Sequence, residues 1–398
     1  MPAPLSILVT DGEQRAALAV VRSLGRAGHR VFVCSRRARS LAGASRYATA
    51  EACVPDPLSE ADRFVDAVAR LVGRWRIDQL LPITDASLSA LLPARGRMPE
   101  VRVPFADLEA YRGVSDKALL LDEAAKVGIA IPIQERLSLP GDREALNEAR
   151  LRFPLVLKPS RSVAGSGSRR ASQGVRRVAD WRQLQEALDA YTAEAYPLLL
   201  QQRIVGPGVG IFLLLWEGRT VAVFAHRRIR EKPPAGGVSV YRESIAADPD
   251  LVARSRALLE RFGWRGVAMV EYKIDAATGI PYLMEINGRF WGSLQLAVDA
   301  GVDFPSLLVA LAAGERPQPV EHYRVGVRSR WWWGDVDHLL AMLRHSPDRL
   351  ALAPGAPGPW RALRNFLVLW RPGDRSEILR LADPWPFVRE TIDWFRGR

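Results

Sequence analysis

The chain has 398 residues, of which 48% are apolar and 25% charged, and its formal net charge at pH 7 is +12. This length is enough for two or three packed subdomains, and the composition is that of an ordinary globular protein. No apolar run approaches the ~18–20 residues of a membrane span. The N-terminus has no signal-peptide pattern, and the two cysteines give no disulfide framework. We therefore expect a cytoplasmic protein without a transmembrane segment.

The basic residues are spread along the chain rather than collected in a tail. Because acidic residues are interspersed with them, the pattern favours solvated faces, and a nucleic-acid surface is the less favoured alternative. Only five of the 56 basic residues are lysines. In a chain that uses Arg almost everywhere, a retained Lys indicates a position that needs a compact ammonium group. Lys117 and Lys158 are two such positions.

The first part of the chain alternates strand-like and helix-like segments. Apolar runs at 6–9, 30–34 and 79–83 are separated by helical patterns, which is the rhythm of βαβ units. We therefore predict a parallel α/β domain over residues 1–113. Its first turn lacks a G-x-G-x-x-G fingerprint, so we do not expect a dinucleotide site. Three side chains at carboxyl ends of its strands are candidates for substrate contact, with helix capping as the alternative: Thr10, Asp11 and Asp85.

Two lysines and a glycine-containing loop form a possible anion site. Lys158 ends the apolar strand 153–158, and a lysine in such a place is costly unless an anion such as phosphate meets it. Lys117 stands at the start of a predicted helix. The glycines of the loop would let backbone N–H groups surround phosphate oxygens, although a flexible hairpin tip is the alternative. The loop residues are Gly165, Ser166, Gly167 and Ser168.

A predicted hairpin carries two acids and an amide. Its strand-like segments are 266–273 and 280–286, and a turn sequence separates them. The estimated register places Glu271 opposite Glu285, with Asn287 on the same face as Glu285. Two opposed carboxylates repel each other, but together with an amide oxygen they form a set that suits magnesium. A pair of solvated acids on an exposed face is the alternative.

The order of these motifs resembles that of an ATP-grasp domain of the carboxylate–amine ligase type, the superfamily that includes biotin carboxylase and D-alanine–D-alanine ligase. The resemblance covers roughly residues 1–315. It implies a pre-ATP-grasp α/β domain at 1–113 and a two-lobed ATP-grasp domain at 114–318, with a small lobe at about 114–200 and a large lobe at about 201–318. Residues 319–398, which the resemblance does not cover, are predicted to form a helical C-terminal extension.

The resemblance also implies roles for individual residues. In that family the acids and the asparagine bind two Mg²⁺ ions that bridge ATP phosphates, which would be the role of Glu271, Glu285 and Asn287. Lys117, Lys158 and the glycine-containing loop would contact the phosphates. Many relatives carry an acid where Gln202 stands, but a Gln still offers one acceptor and two donors. The residues implied to hold adenine are Gln201, Gln202, Arg203 and Ile204.

A basic strand and a second glycine-containing loop precede the hairpin. Alternation along this strand places His226, Arg228 and Arg230 on one face. In the resembled ligases a similar stretch lies next to the acyl-acceptor site, so Arg230 and Ser239 become candidates for substrate contact. Cationic gatekeepers on a solvated edge strand are the alternative. Arg289 is a candidate to hold the γ-phosphate or the substrate carboxylate in a fork.

The last segment, 321–398, contains seven of the twelve tryptophans and no catalytic spacing. A Trp-rich amphipathic segment can lie as a peripheral contact on a membrane or meet a protein partner. A helical extension packed on the main body is the interpretation we favour.

Together these features predict an ATP- and Mg²⁺-dependent, ADP-producing ligase. The enzyme would phosphorylate a small-molecule carboxylate to an acylphosphate and couple it to an amine, with Arg289 and Arg230 stabilising negative charge. One alternative is a non-catalytic nucleotide-binding regulator with the same fold, which the intact acid-and-amide set disfavours. Another is a carboxylase-like enzyme that activates bicarbonate, and the sequence has no sign of a site for a biotin partner.

Overall fold

The architecture comes from a computed structural model of the chain. The residues that it describes are 3–161, 163–164, 171–172, 174–347, 349–350, 352, 355–368 and 371–397. The four residues of the predicted phosphate loop lie outside the described residues: Gly165, Ser166, Gly167 and Ser168.

The N-terminal unit is a parallel sheet flanked by helices, which confirms the predicted α/β class. Its strands are β1 (Ser6–Val9), β2 (Arg30–Ser35), β3 (Ala48–Cys53) and β4 (Gln79–Leu81), and its helices are α1 (Arg15–Arg26), α2 (Ala61–Trp75), α3 (Asp85–Leu91) and α4 (Leu108–Ser115). The strands pair in parallel in the order β3–β2–β1–β4. All residues of β1 are buried because helices cover both faces of the sheet. This order brings the carboxyl ends of β1 and β4 side by side.

A second, antiparallel sheet follows helix α5 (Lys117–Lys126). Its strands are β5 (Gln134–Leu137), β6 (Leu155–Pro159), β9 (Arg176–Val178) and β10 (Leu198–Gln202), in the order β5–β10–β6–β9. One face packs on helix α6 (Trp181–Asp189) through leucines such as Leu157, Leu184 and Leu200. The opposite face therefore stays available for polar side chains such as Lys158. Two short strands, β7 (Val163–Ala164) and β8 (Ala171–Ser172), pair with each other as a separate two-stranded sheet.

The largest sheet carries the predicted hairpin. Its strands are β11 (Gly208–Trp216), β12 (Arg219–Lys232), β13 (Val238–Ser244), β14 (Gly266–Ile274), β15 (Pro281–Asn287), β16 (Arg328–Arg330) and β17 (Asp374–Ser376). Within the described residues they pair in the order β15–β14–β11–β12–β13–β16–β17. Helices α7 (Pro249–Arg261), α8 (Leu294–Ala300) and α9 (Phe304–Ala312) accompany the sheet. β15 lies at one edge, where α4 and α5 contact it.

The C-terminal extension contains the expected helices and also contributes strands. Its helices are α10 (Trp332–Arg344), α11 (Pro359–Leu367) and α12 (Trp385–Phe395), while β16 and β17 lengthen the large sheet. Trp333 stacks on Trp394 with ring centroids 4.2 Å apart, which ties α10 to α12. Trp360 is 80% exposed and Trp385 64% exposed, so two of the tryptophans remain on the surface. The predicted contact of 321–398 with a membrane or a partner stays a prediction.

Short 3₁₀ turns occur at Arg95–Arg97, Pro140–Ala145, Glu148–Arg150 and Ala193–Ala195. Among the described residues, no single helix has the length and apolar character of a membrane span, although the bent pair Leu294–Ala300 and Phe304–Ala312 meets both criteria jointly.

Candidate active site

Glu271 and Glu285 are direct partners across the β14–β15 pair, which confirms the predicted register. Asn287 lies two residues further along β15, opposite Met269, and so shares the face of Glu285. A register shift between Glu271 and Tyr272 follows the pair. The Asn287 Nδ2 donates a hydrogen bond to Glu285 Oε1 at 3.2 Å. The acids and the amide therefore form one group at the edge of the large sheet.

Arg228 is a partner of Glu271 that the sequence analysis did not assign. Its Nη2 donates to Glu271 Oε2, and its Nη1 donates to Glu231 Oε1 at 2.9 Å. To reach Glu271 on β14 from β12, the side chain must cross β11, where Gly208 presents no side chain. A Cβ added at Gly208 would lie 2.8 Å from Arg228 Cδ. Gly208 in β11 was the available sequence signal for this contact.

Lys117 and Lys158 approach the same group from the second sheet and helix α5. Lys117, the first residue of α5, holds its Nζ 3.9 Å from Glu285 Oε2. Lys158, near the end of β6, donates from Nζ to the Met284 carbonyl at 3.3 Å. Both side chains are buried, with 6% and 7% exposure. The two predicted phosphate-binding lysines thus converge on the edge strand that carries Glu285 and Asn287.

The charges shift the pKa values of the two acids in opposite directions. Burial raises the pKa of Glu271, and the negative charge of Glu285 adds to this effect while Arg228 opposes it. Burial acts on Glu285 as well, but Lys117, Lys158, the Asn287 hydrogen bond and Arg289 together lower its pKa more than burial raises it. Burial, with the nearby Lys117 charge, lowers the pKa of Lys158 to about 8. A bound polyanion would reverse this shift of Lys158.

Arg289 joins the hairpin to the N-terminal unit. Its Nε donates to Asp85 Oδ2 at 2.8 Å, and its Nη2 donates to Asn287 Oδ1 at 3.0 Å. Its Nη1 donates to the Phe290 carbonyl at 3.0 Å. Three of the five N–H groups of the guanidinium thus have partners, and two remain for a substrate oxygen.

Comparison with known proteins agrees with this geometry. Residues 194–332 match the family described as "ATP-grasp in the biosynthetic pathway with Ter operon". Those residues include the hairpin with Glu271, Glu285 and Asn287. Residues 194–332 of this chain are thus an ATP-grasp segment. The resemblance stated from the sequence is therefore confirmed.

Solved ATP-grasp structures share the fold at low sequence identity. The L-amino acid ligase from Bacillus licheniformis is 20% identical with a TM-score of 0.60, and the match covers 81% of this chain and 76% of the ligase. Biotin carboxylase from Campylobacter jejuni, solved as a β-γ-ATP complex, is 17% identical with a TM-score of 0.62, covering 82% and 74%. N5-carboxyaminoimidazole synthetase from Staphylococcus aureus is 12% identical with a TM-score of 0.61, covering 82% of each chain. No curated protein sequence matches this chain at a significant level.

The predicted placement of Arg230 beside Arg228 is wrong. A β-bulge between these residues interrupts the alternation of β12. Arg230 instead forms two hydrogen bonds of 2.6 Å with the carboxylate of Asp335 on α10. Its guanidinium also lies 4.5 Å from the centre of the Tyr241 ring. The structure therefore brings Arg228, and not Arg230, to the two acids of the ATP-grasp hairpin, and the catalytic role assigned to Arg230 stays a prediction.

Two adjacent glutamines at the end of β10 point to opposite faces of its sheet. Gln201 pairs in register with Val156, two residues from Lys158, and so shares the face of that lysine. Its Nε2 donates to Gln134 Oε1 at 2.7 Å. Gln202 pairs with Leu155, on the face that packs against α6. The predicted adenine contacts of both glutamines stay predictions, but Gln201 is the better placed.

The remaining predicted residues have local partners. Arg203 donates its backbone N–H to the Pro154 carbonyl at 3.3 Å, and Ile204 is buried. Ser239 is buried, and its backbone carbonyl accepts from Arg242 Nη1 at 2.8 Å. Thr10 Oγ1 accepts from the Ile83 N–H at 3.2 Å. These contacts position loops around the site and leave the predicted ligand contacts untested.

Asp11 also serves the loop that follows β4. Its carboxylate accepts from Thr84 Oγ1 at 3.0 Å and from Ser87 Oγ at 2.7 Å. Asp11 has a left-handed φ of 56°, a conformation that Asp tolerates better than most residues. Thr84 in turn caps α3 by accepting from the Ser87 N–H. A helix cap is therefore present in this loop: Thr84 caps α3, and Asp11 accepts a hydrogen bond from the Thr84 hydroxyl.

The donor set fits a hard divalent cation bound with a nucleotide. No group of three or more His, Cys, Asp or Glu side chains able to hold a metal occurs in the part of the chain that is described. The candidate set consists of two carboxylates and one amide oxygen, so phosphate oxygens and water would have to complete an octahedron. Glu271 would share its carboxylate between the cation and Arg228. This arrangement suits a metal that arrives with ATP rather than a metal held by the protein alone.

A cavity of about 180 Å³ adjoins these groups. Lys117, Glu285 and Asn287 form part of its wall. Helix α4 of the N-terminal unit contributes Tyr111 and the exposed Arg112. The cavity is thus bounded both by the candidate metal ligands and by the unit that precedes the ATP-grasp domain.

Proposed function

We propose that the protein is an ATP-dependent ligase that phosphorylates a carboxylate and couples the resulting acyl group to an amine. The observation that carries this proposal is the convergence of Glu271, Glu285 and Asn287 with Lys117 and Lys158 around one edge of the large sheet. In this proposal the acids and the amide bind Mg²⁺ and the lysines bind phosphate oxygens, while domains at 1–113, 114–318 and 319–398 keep the predicted order.

The two reaction steps exchange one bond each. A carboxylate oxygen attacks the γ-phosphorus of ATP, and the bond to the β–γ bridging oxygen breaks to release ADP. The amine nitrogen then attacks the acyl carbon of the acylphosphate, and inorganic phosphate leaves with the electron pair of the C–O bond while the amine loses a proton. Bound Mg²⁺, one or two ions at Glu271, Glu285 and Asn287, would neutralise charge on the β- and γ-phosphates.

The residues of this chain supply position and charge for both steps. Lys117 and Lys158 hold the phosphates beside the edge strand β15. Arg289 offers its two remaining N–H groups to the γ-phosphate or to the oxyanion that forms when the amine attacks. The cavity beside Tyr111 and Arg112 gives a small carboxylate a place next to these groups. Little covalent chemistry by side chains is needed, because alignment provides most of the rate enhancement.

An isotope-transfer experiment tests the acylphosphate step directly. The protein is incubated with Mg·ATP and pairs of amino acids or other amines and carboxylates, with ¹⁸O in the carboxylate group. A ligase transfers one ¹⁸O from the carboxylate to inorganic phosphate in each turnover, together with release of ADP. Glu285→Gln should abolish turnover, because it removes a charged ligand for the cation without changing the side-chain shape.

The outcomes separate the competing functions. ADP release that depends on bicarbonate and needs no amine would favour a carboxylase-like enzyme. ATP binding without ADP release for any carboxylate–amine pair would favour a nucleotide-binding regulator. Undiminished turnover in Glu285→Gln would remove the proposed metal set. Lys126→Met, which changes an exposed lysine paired with Glu123, is the control for nonspecific loss of a positive charge.

A further inference from the structure

A continuous line of hydrogen bonds connects the N-terminal unit to the candidate metal ligands. Tyr111 OH donates to Asp85 Oδ1 at 3.2 Å, and Asp85 Oδ2 accepts from Arg289 Nε at 2.8 Å. Arg289 Nη2 donates to Asn287 Oδ1 at 3.0 Å, and Asn287 Nδ2 donates to Glu285 Oε1 at 3.2 Å. The line therefore passes from α4 and α3 to β15 without interruption.

The direction of every bond in this line is fixed by chemistry. A guanidinium only donates, so Asn287 must turn its amide oxygen toward Arg289. The NH₂ group then points to Glu285, whose carboxylate only accepts when it is ionised. The amide oxygen has a second lone pair, which remains available to a cation. A flipped amide would place donor against donor at Arg289 and would present nitrogen in place of oxygen to the metal.

Asp85 fixes Arg289 in the position that imposes this orientation. The Asp85–Arg289 ion pair joins residues 204 positions apart in the chain, and both side chains are largely buried, with 28% and 22% exposure. Asp85 is in turn held at the start of α3 by the Tyr111 hydroxyl. Tyr111 is 5% exposed within the packing of α4, so its hydroxyl has little freedom to move. The orientation of the Asn287 amide oxygen is thereby determined by residues of the N-terminal unit, which lie outside the large sheet.

We propose that Asp85 and Tyr111 are positioning residues of the metal site, which act on Asn287 through Arg289. This inference rests on the proposed function only in taking Glu285 and Asn287 as ligands of the metal bound with ATP. In this inference the N-terminal unit contributes to cation binding by orienting Asn287, independently of any contact with substrate. Supporting residues of this kind typically change metal affinity by about 10- to 100-fold when they are altered.

The test measures nucleotide affinity with and without the metal. Asp85→Asn keeps the shape of the side chain and removes its charge, and Tyr111→Phe removes only the hydroxyl. For each variant, ATP affinity is measured in EDTA and with Mn²⁺, and Mn²⁺ binding is followed by electron paramagnetic resonance. We expect Asp85→Asn to weaken Mn²⁺ binding in the ternary complex by about 10-fold, with metal-free ATP affinity unchanged. Tyr111→Phe should give a smaller loss in the same direction.

A matched control distinguishes positioning from a loosened interface. Ser23→Ala removes a 2.5 Å hydrogen bond to Asp303 that also joins the N-terminal unit to the ATP-grasp part, through α1 and the start of α9. It should lower the melting temperature and leave Mn²⁺ affinity unchanged. If Asp85→Asn does not fold, Tyr111→Phe carries the test by itself.

Three results would overturn the inference. They are unchanged Mn²⁺ affinity in both variants, an equal loss of ATP affinity with and without metal, and wild-type protein whose ATP binding does not respond to metal. The last result would also remove the metal set from the proposed function. If the wild type binds Mn²⁺ and ATP but couples no carboxylate to an amine, the ligase proposal fails while a metal-specific loss in Asp85→Asn still supports the positioning role.

Discussion

Arg228 reaches Glu271 by passing over Gly208 of the intervening strand β11. The contact balances the charge of one of two opposed carboxylates, while the other, Glu285, faces the lysines. The two acids therefore have different neighbours although they are partners in one hairpin. When no cation lies between the two acids, Arg228 keeps Glu271 from being an uncompensated buried charge.

Gly208→Ala should disturb this balance. The new Cβ would lie 2.8 Å from Arg228 Cδ, so the arginine must shift and its bond to Glu271 should lengthen or break. We expect turnover to fall at least 10-fold, with a loss of about 1–3 kcal/mol in the free energy of unfolding from overpacking. Gly73→Ala in α2, where a Cβ meets nothing within 4 Å, is the control and should be neutral or stabilising. Normal turnover in Gly208→Ala would show that Arg228 is not needed at Glu271.

Lys158 should make ATP binding depend on pH. Its pKa in the free protein is lowered to about 8 by burial and by Lys117, so the ammonium is lost as the pH rises through this value. ATP affinity should therefore fall between pH 7 and 9.5, because neutral Lys158 no longer attracts phosphate. Isothermal titration at several pH values would detect the fall. Lys158→Met should bind weakly at all of them, with a flatter profile.

The same shift has a consequence for stability with the opposite sign. Between the folded pKa of about 8 and the ordinary value of 10.5, the unfolded chain binds more protons at Lys158 than the folded protein. The contribution of Lys158 to the free energy of unfolding should then rise with pH across this window. Comparing wild type with Lys158→Met by denaturant unfolding at pH 7.5 and 9.5 isolates this contribution. A difference between the two proteins that does not change with pH would contradict the lowered pKa.

The two glutamines provide a matched pair for the adenine site. Gln201 shares the face of Lys158, whereas Gln202 faces the side of α6. Gln201→Ala should weaken ATP binding by roughly fivefold, as expected for the loss of one neutral hydrogen bond of about 1 kcal/mol. Gln202→Ala should change ATP affinity little. A larger loss of ATP affinity in Gln202→Ala than in Gln201→Ala would mean that adenine binds on the face that packs against α6.

The Arg230–Asp335 pair tests whether Arg230 acts in catalysis or in anchoring. Asp335 is fully buried and accepts from both Arg230 and Arg330. Asp335→Ala should cost about 3–5 kcal/mol of unfolding free energy, because it leaves two arginines uncompensated. We expect Arg230→Met to lose stability as well but to keep turnover in the folded protein. A fall of more than 100-fold in kcat for Arg230→Met, with stability intact, would support the catalytic role predicted from the sequence.

Sequence patterns predicted the parts of this fold that depend on local order. The turn between β14 and β15 determined the register, so Glu271 and Glu285 could be paired in advance. The bulge after Arg228 could not be predicted, because nothing in the alternating sequence pattern marks the extra residue. The strands β16 and β17 have three residues each, too few for periodicity to be detected. The Asp85–Arg289 pair depends on packing between segments 204 residues apart, which no local signal encodes.

Arg22 of α1 has hydrogen-bond partners that are synthesised long after it. Its guanidinium donates to Asp383 Oδ2 at 2.8 Å and to the Ile378 carbonyl at 2.8 Å, more than 350 residues further along the chain. Arg22 is 1% exposed, so the nascent first helix contains a cation whose acceptors do not yet exist. Until the ribosome has added that segment, the surface of α1 around Arg22 must stay hydrated. Residues 378–383 can therefore cover α1 only after they have been synthesised, and a chain released before that point would expose this surface of α1 to chaperones and proteases.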